Sequence, residues 1–201
     1  VDFAEILHNA NAPEHVPGGR IVVGYKGGSP DMERSFRRID EFTGEMQKKH
    51  GVKIVDSIAA LCRDVDAVMI LSIDGRVHLE QAREVMKHTH AKRPLFIDKP
   101  VATSLKDVLE VFRLARQTGT PVFSSSSLRY VRPLEALKRM DMGELKGVIS
   151  YGPASIEKTH PDLFYYGVHA AESLYAVMST GCVSVTRTST PDLDAITGVW
   201  S

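Results

Sequence analysis

Cysteine and long uncharged stretches are both scarce in this chain. Its 201 residues include two cysteines, Cys62 and Cys182, too few for a disulfide scaffold, and this scarcity favours a reducing, cytoplasmic setting. The longest stretch without a charged residue, 173–186, is shorter than the roughly 20 apolar residues that a membrane span needs. The sequence therefore predicts a cytoplasmic protein without a membrane partner.

An excess of charge of either sign is also missing. Lys and Arg together number 25, Asp and Glu together number 25, and the formal net charge is zero. Nucleic acids and anionic membranes attract proteins that carry clustered basic residues. The nearest approach to such a cluster, at residues 34–38, is flanked by acidic side chains. We therefore expect no nucleic-acid partner.

Short apolar segments alternate with helical patterns over the first two thirds of the chain. Runs rich in Val and Ile suit strands buried on both faces of a parallel sheet, and they occur at Arg20–Tyr25, Val52–Val55, Ala67–Ser72, Pro94–Ile97 and Pro121–Ser124. The helical patterns lie at Asp31–His50, Ser57–Arg63, Val77–His88 and Ser104–Thr118. This order predicts βαβ units and a doubly wound parallel α/β sheet in a first domain, residues 1–124.

The pattern changes after Ser124. Helices are predicted at Val131–Met140 and Phe164–Ser179, and strands at Leu145–Ser155, Val183–Thr190 and Ile196–Trp200. The last two segments alternate apolar and polar residues, as half-exposed antiparallel strands do. A second α+β domain with a mostly antiparallel sheet is therefore expected over residues 125–201.

A glycine-rich phosphate loop is absent from the place where a dinucleotide-binding sheet would have it. The motif G-x-G-x-x-G should follow the first strand, but Gly18-Gly19 precedes a strand and Gly27-Gly28 lacks the spacing. The chain opens at Val1 with a helical pattern over Asp2–Asn9. Either the protein never bound a dinucleotide, or a strand and loop lie before Val1, which is the interpretation we favour. By the same reasoning, we expect the second sheet to be incomplete where the chain stops.

Polar residues follow three of the predicted strands. In open α/β sheets, ligands bind beyond the carboxyl ends of the strands. The segments at those positions are Lys26–Pro30, Ile73–His78 and Asp98–Pro100. These three loops are the candidate binding site.

One of these loops carries a family resemblance. Asp98-Lys99-Pro100, followed by the helix at 104–118, resembles the Glu-Lys-Pro signature of the Gfo/Idh/MocA family of nicotinamide-dependent sugar and polyol oxidoreductases. Further similar segments follow the family's order: His78 opening a helix, Arg129-Tyr130 with Pro133, the turn Gly143–Gly147, and Gly167-Val168-His169. The resemblance extends from about Ile21 to Val185 and implies a Rossmann-like sheet that binds NAD or NADP.

The resemblance also implies catalytic roles for two residues. His169 would act as the base toward a substrate hydroxyl, and Lys99 would steer the substrate and stabilise developing charge. A base whose pKa lies near the working pH is efficient, and histidine titrates there without perturbation. The candidate cofactor contacts are Lys26, Ser72, Asp74, His78, Asp98, Lys99 and Pro100, and the candidate substrate contacts are Arg129, Tyr165 and Glu172.

The chain departs from the family at the residue that should orient the histidine. The family has an aspartate four residues before the histidine, and Tyr165 stands there in this chain. On the predicted helix, Tyr165 shares a face with His169 and can hydrogen-bond it, but it offers no negative charge to an imidazolium. Glu172 is an alternative orienting group. Asp98 replaces the family's glutamate, and Asp74-Gly75 replaces its Pro-Asn.

Two functional hypotheses follow. The first is an oxidoreductase that transfers a hydride between NAD(P) and a hydroxyl of a sugar, polyol or related small molecule. The alternative is a non-catalytic module that binds a sugar or nucleotide on the same scaffold, because fold does not fix function. Lys26 and Ser29 favour NADP slightly, since a cation and a hydroxyl can bind a 2′-phosphate.

Metal binding and assembly complete the expectations. His160, Asp162 and His169 have no recognised metal-ligand spacing, so no metal site is expected. Family resemblance implies a homo-oligomer that forms through the sheet of the second domain.

Overall fold

The computed structural model describes residues 1–89 and 93–201. By their internal contacts, the described residues form two compact units. One unit comprises residues 1–125 and 156–165, and the other comprises residues 126–155 and 166–201. The segment 156–165, which the sequence analysis placed in the second domain, thus packs with the first unit.

The first unit alternates strands and helices as predicted. Its strands are β1 (Val23–Tyr25), β2 (Lys53–Val55), β3 (Val68–Ile70), β4 (Leu95–Ile97) and β5 (Val122–Phe123). Its helices are α1 (Asp2–His8), α2 (Glu33–Lys48), α3 (Ile58–Leu61), α4 (His78–His88) and α5 (Leu105–Thr118). β1 pairs with β2, and the strands β3, β4 and β5 form a second sheet, with every pairing parallel. The predicted parallel α/β organisation is confirmed.

The core of this unit lies around β3 and β4. Both strands bury their first and last residues, and α4 and α5 cover them with small and branched side chains. The buried cluster contains Cys62, Val68, Ile70, Ala82, Val85, Met86, Leu95, Ile97, Val111 and Ala115. This packing fixes the carboxyl ends of β3 and β4, and therefore the loops that follow them.

Helix α5 shows how local sequence sets these boundaries. The Ser104 hydroxyl accepts a hydrogen bond from the Asp107 amide at 3.1 Å and so caps the first turn of the helix. Gly119 ends the helix with φ 68°, a left-handed conformation that glycine adopts without the cost of a Cβ.

The second unit contains two helices and an antiparallel hairpin. Its elements are α6 (Arg132–Leu137), α7 (Val168–Met178), β6 (Cys182–Ser189) and β7 (Asp194–Trp200), together with a 3-10 turn at Ser127–Tyr130. β6 and β7 pair in the antiparallel sense, and the Thr190 amide donates to the Leu193 carbonyl at 2.8 Å within the connecting turn. The predicted antiparallel pair is confirmed.

One predicted element of this region was wrong, and another begins later than predicted. The predicted strand at Leu145–Ser155 has no regular structure, and Ile149 and Tyr151 are each 92% exposed. An apolar alternation forms a strand only where a partner strand supplies the hydrogen bonds, and no described strand pairs with this segment. The helix predicted from Phe164 begins at Val168 instead, because a 3-10 turn at Asp162–Phe164 precedes it.

Candidate functional site

The loops after β3 and β4 are joined by a buried histidine. His78 opens α4 and is fully buried. Its Nδ1 lies 2.8 Å from the Pro100 carbonyl oxygen, and its Nε2 lies 2.7 Å from the Ser72 carbonyl oxygen. A carbonyl oxygen only accepts, so a neutral imidazole donates one of these bonds and an imidazolium donates both. His78 therefore contacts the backbones of both loops, and it hydrogen-bonds to one of them when neutral and to both when protonated.

Two further contacts fix these loops. The Ser72 hydroxyl donates to Gln81 Oε1 at 2.9 Å. A Cβ on Gly75 would lie 2.9 Å from Pro100 Cγ, so the two loops approach too closely for a side chain at that position. The candidate cofactor residues Ser72, His78 and Pro100 are thus arranged around one tight junction.

Asp74 is a buried carboxylate of the loop after β3. Its side chain is 1% exposed, and Arg76 donates to it from the backbone amide at 2.9 Å and from Nη2 at 2.6 Å. Burial alone would raise the pKa of Asp74, but the hydrogen bonds and charge of Arg76 outweigh it and lower the pKa to about 2. Arg76 also makes a bidentate pair with the exposed Asp31, at 2.8 and 2.9 Å. Asp74 is therefore a buried anion that forms an ion pair with Arg76.

His160 reaches this loop from a distant part of the chain. Its Nε2 accepts a hydrogen bond from the Gly75 amide at 3.1 Å and lies 3.5 Å from Asp74 Oδ1. Burial lowers the pKa of His160, although the Asp74 charge opposes the shift. An acceptor nitrogen carries no proton, so this geometry requires a neutral imidazole. His160 thereby attaches the segment 156–165 to the loop after β3.

Lys99 follows β4 and lies against an aromatic ring. Its Nζ is 5.6 Å from the centroid of the Tyr165 ring, a cation–π distance. Burial lowers the pKa of Lys99, and the neighbouring Asp98 partly offsets this effect. A desolvated ammonium next to a polarisable ring is suited to interact with an electron-rich oxygen of a ligand.

Tyr165 occupies a different place from the one that the sequence predicted. It lies before the first residue of α7, so it does not share a helical face with His169. It is 3% exposed, its hydroxyl accepts a hydrogen bond from Arg34 Nη1 at 3.3 Å, and its ring packs 5.2 Å from that of His160. In the first unit, Tyr165 therefore contacts Lys99 through its ring and Arg34 through its hydroxyl.

His169 is the second residue of α7 in the second unit. Its Nδ1 lies 2.7 Å from the hydroxyl of Ser126, and the Tyr166 ring packs edge-on at 4.8 Å. Glu172, one of the expected orienting groups, accepts a hydrogen bond from Arg129 Nη1 at 3.1 Å. The structure thus brings His169 to Ser126 and pairs the two candidate substrate residues, Arg129 and Glu172, with each other.

Lys26 follows β1 and forms an ion pair with Asp40 of α2. Both side chains are well exposed. The next residue, Gly27, lies close to the loop after β3, because a Cβ there would be 3.6 Å from the Ser72 hydroxyl. The loop after β1 therefore borders the loop that contains Ser72 and Asp74.

Three residues of this arrangement were not predicted as site residues: Ser126, His160 and Arg34. Each acts through a contact with a residue distant in the chain, which no local motif encodes. Ser126 belongs to a run of serines, and His160 belongs to a His-Pro-Asp segment. The sequence indicated these two residues only as polar side chains near a candidate motif.

The described residues hold no group of three or more His, Cys, Asp or Glu side chains that could bind a metal ion. None of the helices formed by these residues is long and apolar enough to cross a membrane. The residues present match only part of a dinucleotide. The strand-end loops supply a half-buried ammonium and a carboxylate, Lys99 and Asp98, while no G-x-G-x-x-G occurs in the sequence.

Comparison with solved structures agrees with this fold. A proposed myo-inositol dehydrogenase from Sinorhizobium meliloti is 18% identical, with a TM-score of 0.62 over 84% of this chain and 50% of that one. A proposed oxidoreductase from Bacillus subtilis is 14% identical, with a TM-score of 0.61 over 79% of this chain and 51% of that one. An NAD-binding protein from Listeria innocua is 22% identical, with a TM-score of 0.55 over 71% of this chain and 46% of that one.

The chain spans about half the length of these structures. No curated protein matches its sequence. A family model described as an oxidoreductase family with an NAD-binding Rossmann fold matches residues 32–126. This match includes the loops after β3 and β4, with Asp74, His78 and Lys99. Over residues 32–126, the chain is therefore similar to an oxidoreductase family with an NAD-binding Rossmann fold.

Proposed function

We propose that the protein is an NAD(P)-dependent oxidoreductase that acts on a hydroxyl group of a sugar, a polyol or a related small molecule. The observation that carries the proposal is the position of Lys99. Its desolvated ammonium follows β4 in the family-matched Rossmann domain, where ligands of open α/β sheets bind. A lysine in that position can stabilise the negative charge that develops on a substrate oxygen during hydride transfer.

The proton of the substrate hydroxyl requires a second group as its acceptor, and we propose His169 for this role. NAD(P), when bound, supplies the site that takes the hydride from the substrate carbon. His169 takes the hydroxyl proton as the C–H bond breaks, and Lys99 stabilises the oxygen as it becomes a carbonyl. In the reverse direction, His169 returns the proton. Arg129 and Glu172, paired on the second unit, are the proposed substrate contacts, together with Tyr165.

The proposed cofactor contacts are the strand-end residues Lys26, Ser72, Asp74, His78, Asp98, Lys99 and Pro100. The structure supports an indirect role for His78 and Asp74, because both side chains are buried and bonded to the loops themselves. Lys26 supports a slight preference for NADP, since its exposed cation could exchange Asp40 for a 2′-phosphate.

Location and assembly are part of the same proposal. Both cysteines are free thiols, which suits a reducing, cytoplasmic compartment. The hairpin of the second unit exposes Val183, Val185 and Ile196, which supports a homo-oligomer formed through that sheet.

Titration with NAD⁺, NADH, NADP⁺ and NADPH, followed by nicotinamide fluorescence and calorimetry, tests the proposal directly. At least one of the four should bind. We further expect Lys99→Met and His169→Asn to lower turnover of a polyol substrate by about 100-fold or more. Lys146→Met is the matched control, because Lys146 is an exposed lysine of the second unit paired with Glu144. Absence of binding by all four nucleotides would refute the proposal.

A non-catalytic binding module is the second candidate. Tyr165 stands where the family has an aspartate, and the Nδ1 atom of His169 contacts a neutral hydroxyl. This candidate predicts nucleotide or sugar binding without cofactor reduction. Reduction of NAD⁺ or NADP⁺ by any member of a broad polyol panel excludes it.

A further inference from the structure

Two side chains of α4 hold Ser72 at the end of β3. His78 Nε2 lies 2.7 Å from the Ser72 carbonyl oxygen, and the Ser72 hydroxyl donates a hydrogen bond to Gln81 Oε1 at 2.9 Å. His78 and Gln81 are three residues apart on α4, so they lie on the same face of the helix. His78 thus contacts the backbone of Ser72, and Gln81 determines where the hydroxyl proton points.

The Ser72 hydroxyl also lies where two strand-end loops meet. A Cβ on Gly27, in the loop after β1, would be 3.6 Å from the Ser72 hydroxyl oxygen and 3.3 Å from Gln81 Nε2. Ser72 and Gln81 are both half-buried. Ligands of open α/β sheets bind in the crevice beyond the carboxyl ends of the strands. The pair formed by Ser72 and Gln81 therefore borders the place where a cofactor would lie.

The bond to Gln81 limits what the Ser72 hydroxyl can do for a ligand. A hydroxyl has one proton and two lone pairs. Because Ser72 donates its proton to Gln81, its oxygen can only accept a hydrogen bond from a further partner. A phosphate oxygen is itself an acceptor and does not match. The matching groups of a nicotinamide dinucleotide are donors, namely its ribose hydroxyls and the N–H of its carboxamide.

We propose that Gln81 is the positioning residue of Ser72, and that the Ser72 oxygen accepts a hydrogen bond from a ribose hydroxyl or the carboxamide of the cofactor. This inference rests on the proposed function, which makes Ser72 a cofactor contact. Gln81 acts through Ser72, by accepting the hydrogen bond that fixes its hydroxyl. Glutamate in place of Gln81 keeps an acceptor, whereas leucine does not.

The test is the factor by which Ser72→Ala weakens the binding of NADH or NADPH, measured by nicotinamide fluorescence in three backgrounds. With the native Gln81, we expect a factor of about 3 or more, as for the loss of one hydrogen bond. Gln81→Glu should preserve this factor, and the comparison within one background cancels the general effect of the added charge. Gln81→Leu should weaken binding by itself and reduce the Ser72→Ala factor to below about 2.

Gln117→Leu is the matched control, because Gln117 is an exposed glutamine of α5. It should leave both the affinity and the Ser72→Ala factor unchanged. Calorimetry with ADP-ribose, which lacks the carboxamide, separates the two donors. A Ser72→Ala loss with ADP-ribose assigns a ribose hydroxyl, and a loss confined to NADH or NADPH assigns the carboxamide.

Three outcomes overturn the proposal: no effect of Ser72→Ala in the native background, a full factor in Gln81→Leu, or loss of the factor in Gln81→Glu. The last result would mean that Gln81 donates to Ser72. Circular dichroism establishes that each variant is folded, and Gln81→Met, which also lacks the amide, takes the place of Gln81→Leu if that variant does not fold. The proposed function survives all three outcomes, since each is observed with a bound nucleotide. Absence of binding by all four nucleotides refutes the proposed function and this inference together.

Discussion

Three buried polar side chains, His78, Asp74 and His160, hold the loops of the first unit in place. Each is satisfied by a specific partner: backbone carbonyls for His78, Arg76 for Asp74 and the Gly75 amide for His160. A buried polar group without such a partner would cost about 1–3 kcal/mol. These residues therefore fix the geometry of the strand ends more strongly than their exposed neighbours.

At this scale we expect Asp74→Asn to destabilise the fold by about 2 kcal/mol at pH 7. The pKa of Asp74 falls from an ordinary value of 3.8 to about 2 in the folded state, so ionised Asp74 favours folding. This contribution is complete above about pH 4 and is lost as the pH falls toward 2. Urea unfolding of both proteins at several pH values measures it.

Asp31→Asn is the matched control, because Asp31 binds the same Arg76 from an exposed position. Its effect should be smaller than that of Asp74→Asn. Equal stability of the wild type and Asp74→Asn at pH 7, or a difference that persists unchanged at pH 2, contradicts the prediction.

At the scale of elements, the segment 156–165 contributes two side chains to the candidate site. It contains no β-strand and no α-helix, yet His160 and Tyr165 place it against the loops after β3 and β4. Its attachment depends on an imidazole that accepts a hydrogen bond and therefore stays neutral. Acid should weaken that attachment.

We expect the stability of the wild type to decrease as the pH falls from 7.5 to 5, and His160→Gln to flatten this dependence. Burial lowers the pKa of His160 below its ordinary 6.5, so the unfolded chain takes up a proton that the folded chain resists. The stabilisation is therefore complete above pH 6.5 and decreases below it. Glutamine keeps an acceptor for the Gly75 amide but does not titrate. Thermal unfolding over this pH range is the measurement, and parallel pH dependences of the two proteins would contradict the prediction.

The elements of the first unit could be predicted because their signals are local. Helix α5 combines an apolar face, a serine cap and a terminal glycine, and each lies within a few residues of its effect. Leu145–Ser155 failed as a strand because pairing depends on a partner elsewhere in the chain. Lys99 was found through its Asp-Lys-Pro motif, whereas Ser126 and His160 were missed because their partners lie 43 and 85 residues away.

At the scale of the whole molecule, the proposed homo-oligomer would form through one face of the β6–β7 hairpin. Val183, Val185 and Ile196 are 63%, 61% and 54% exposed. Val185 pairs with Gly198, and Ile196 pairs with Arg187, so Val185 and Ile196 lie on one face and Thr186 lies on the other. A second copy of the chain could cover this face.

We therefore expect the 22.2 kDa chain to self-associate in sedimentation velocity experiments, and Val185→Lys to shift it toward the monomer. A charge placed in a buried apolar interface is strongly unfavourable. Thr186→Lys is the matched control, since it places the same charge on the opposite face. A wild type that remains monomeric, or equal effects of the two lysines, would exclude this assembly.

The first unit is built from two separate stretches of the chain, residues 1–125 and 156–165. This arrangement has a consequence during synthesis. His160 follows its partner Gly75 by 85 residues, and at about 5–20 residues per second the ribosome needs roughly 4–17 s to translate that interval. During that time the nascent chain carries Asp74 and later also Lys99 without the segment that contacts them. The first unit is thus completed only after much of the second has been translated, and the speed of translation over residues 126–155 determines how long those strand ends stay uncovered.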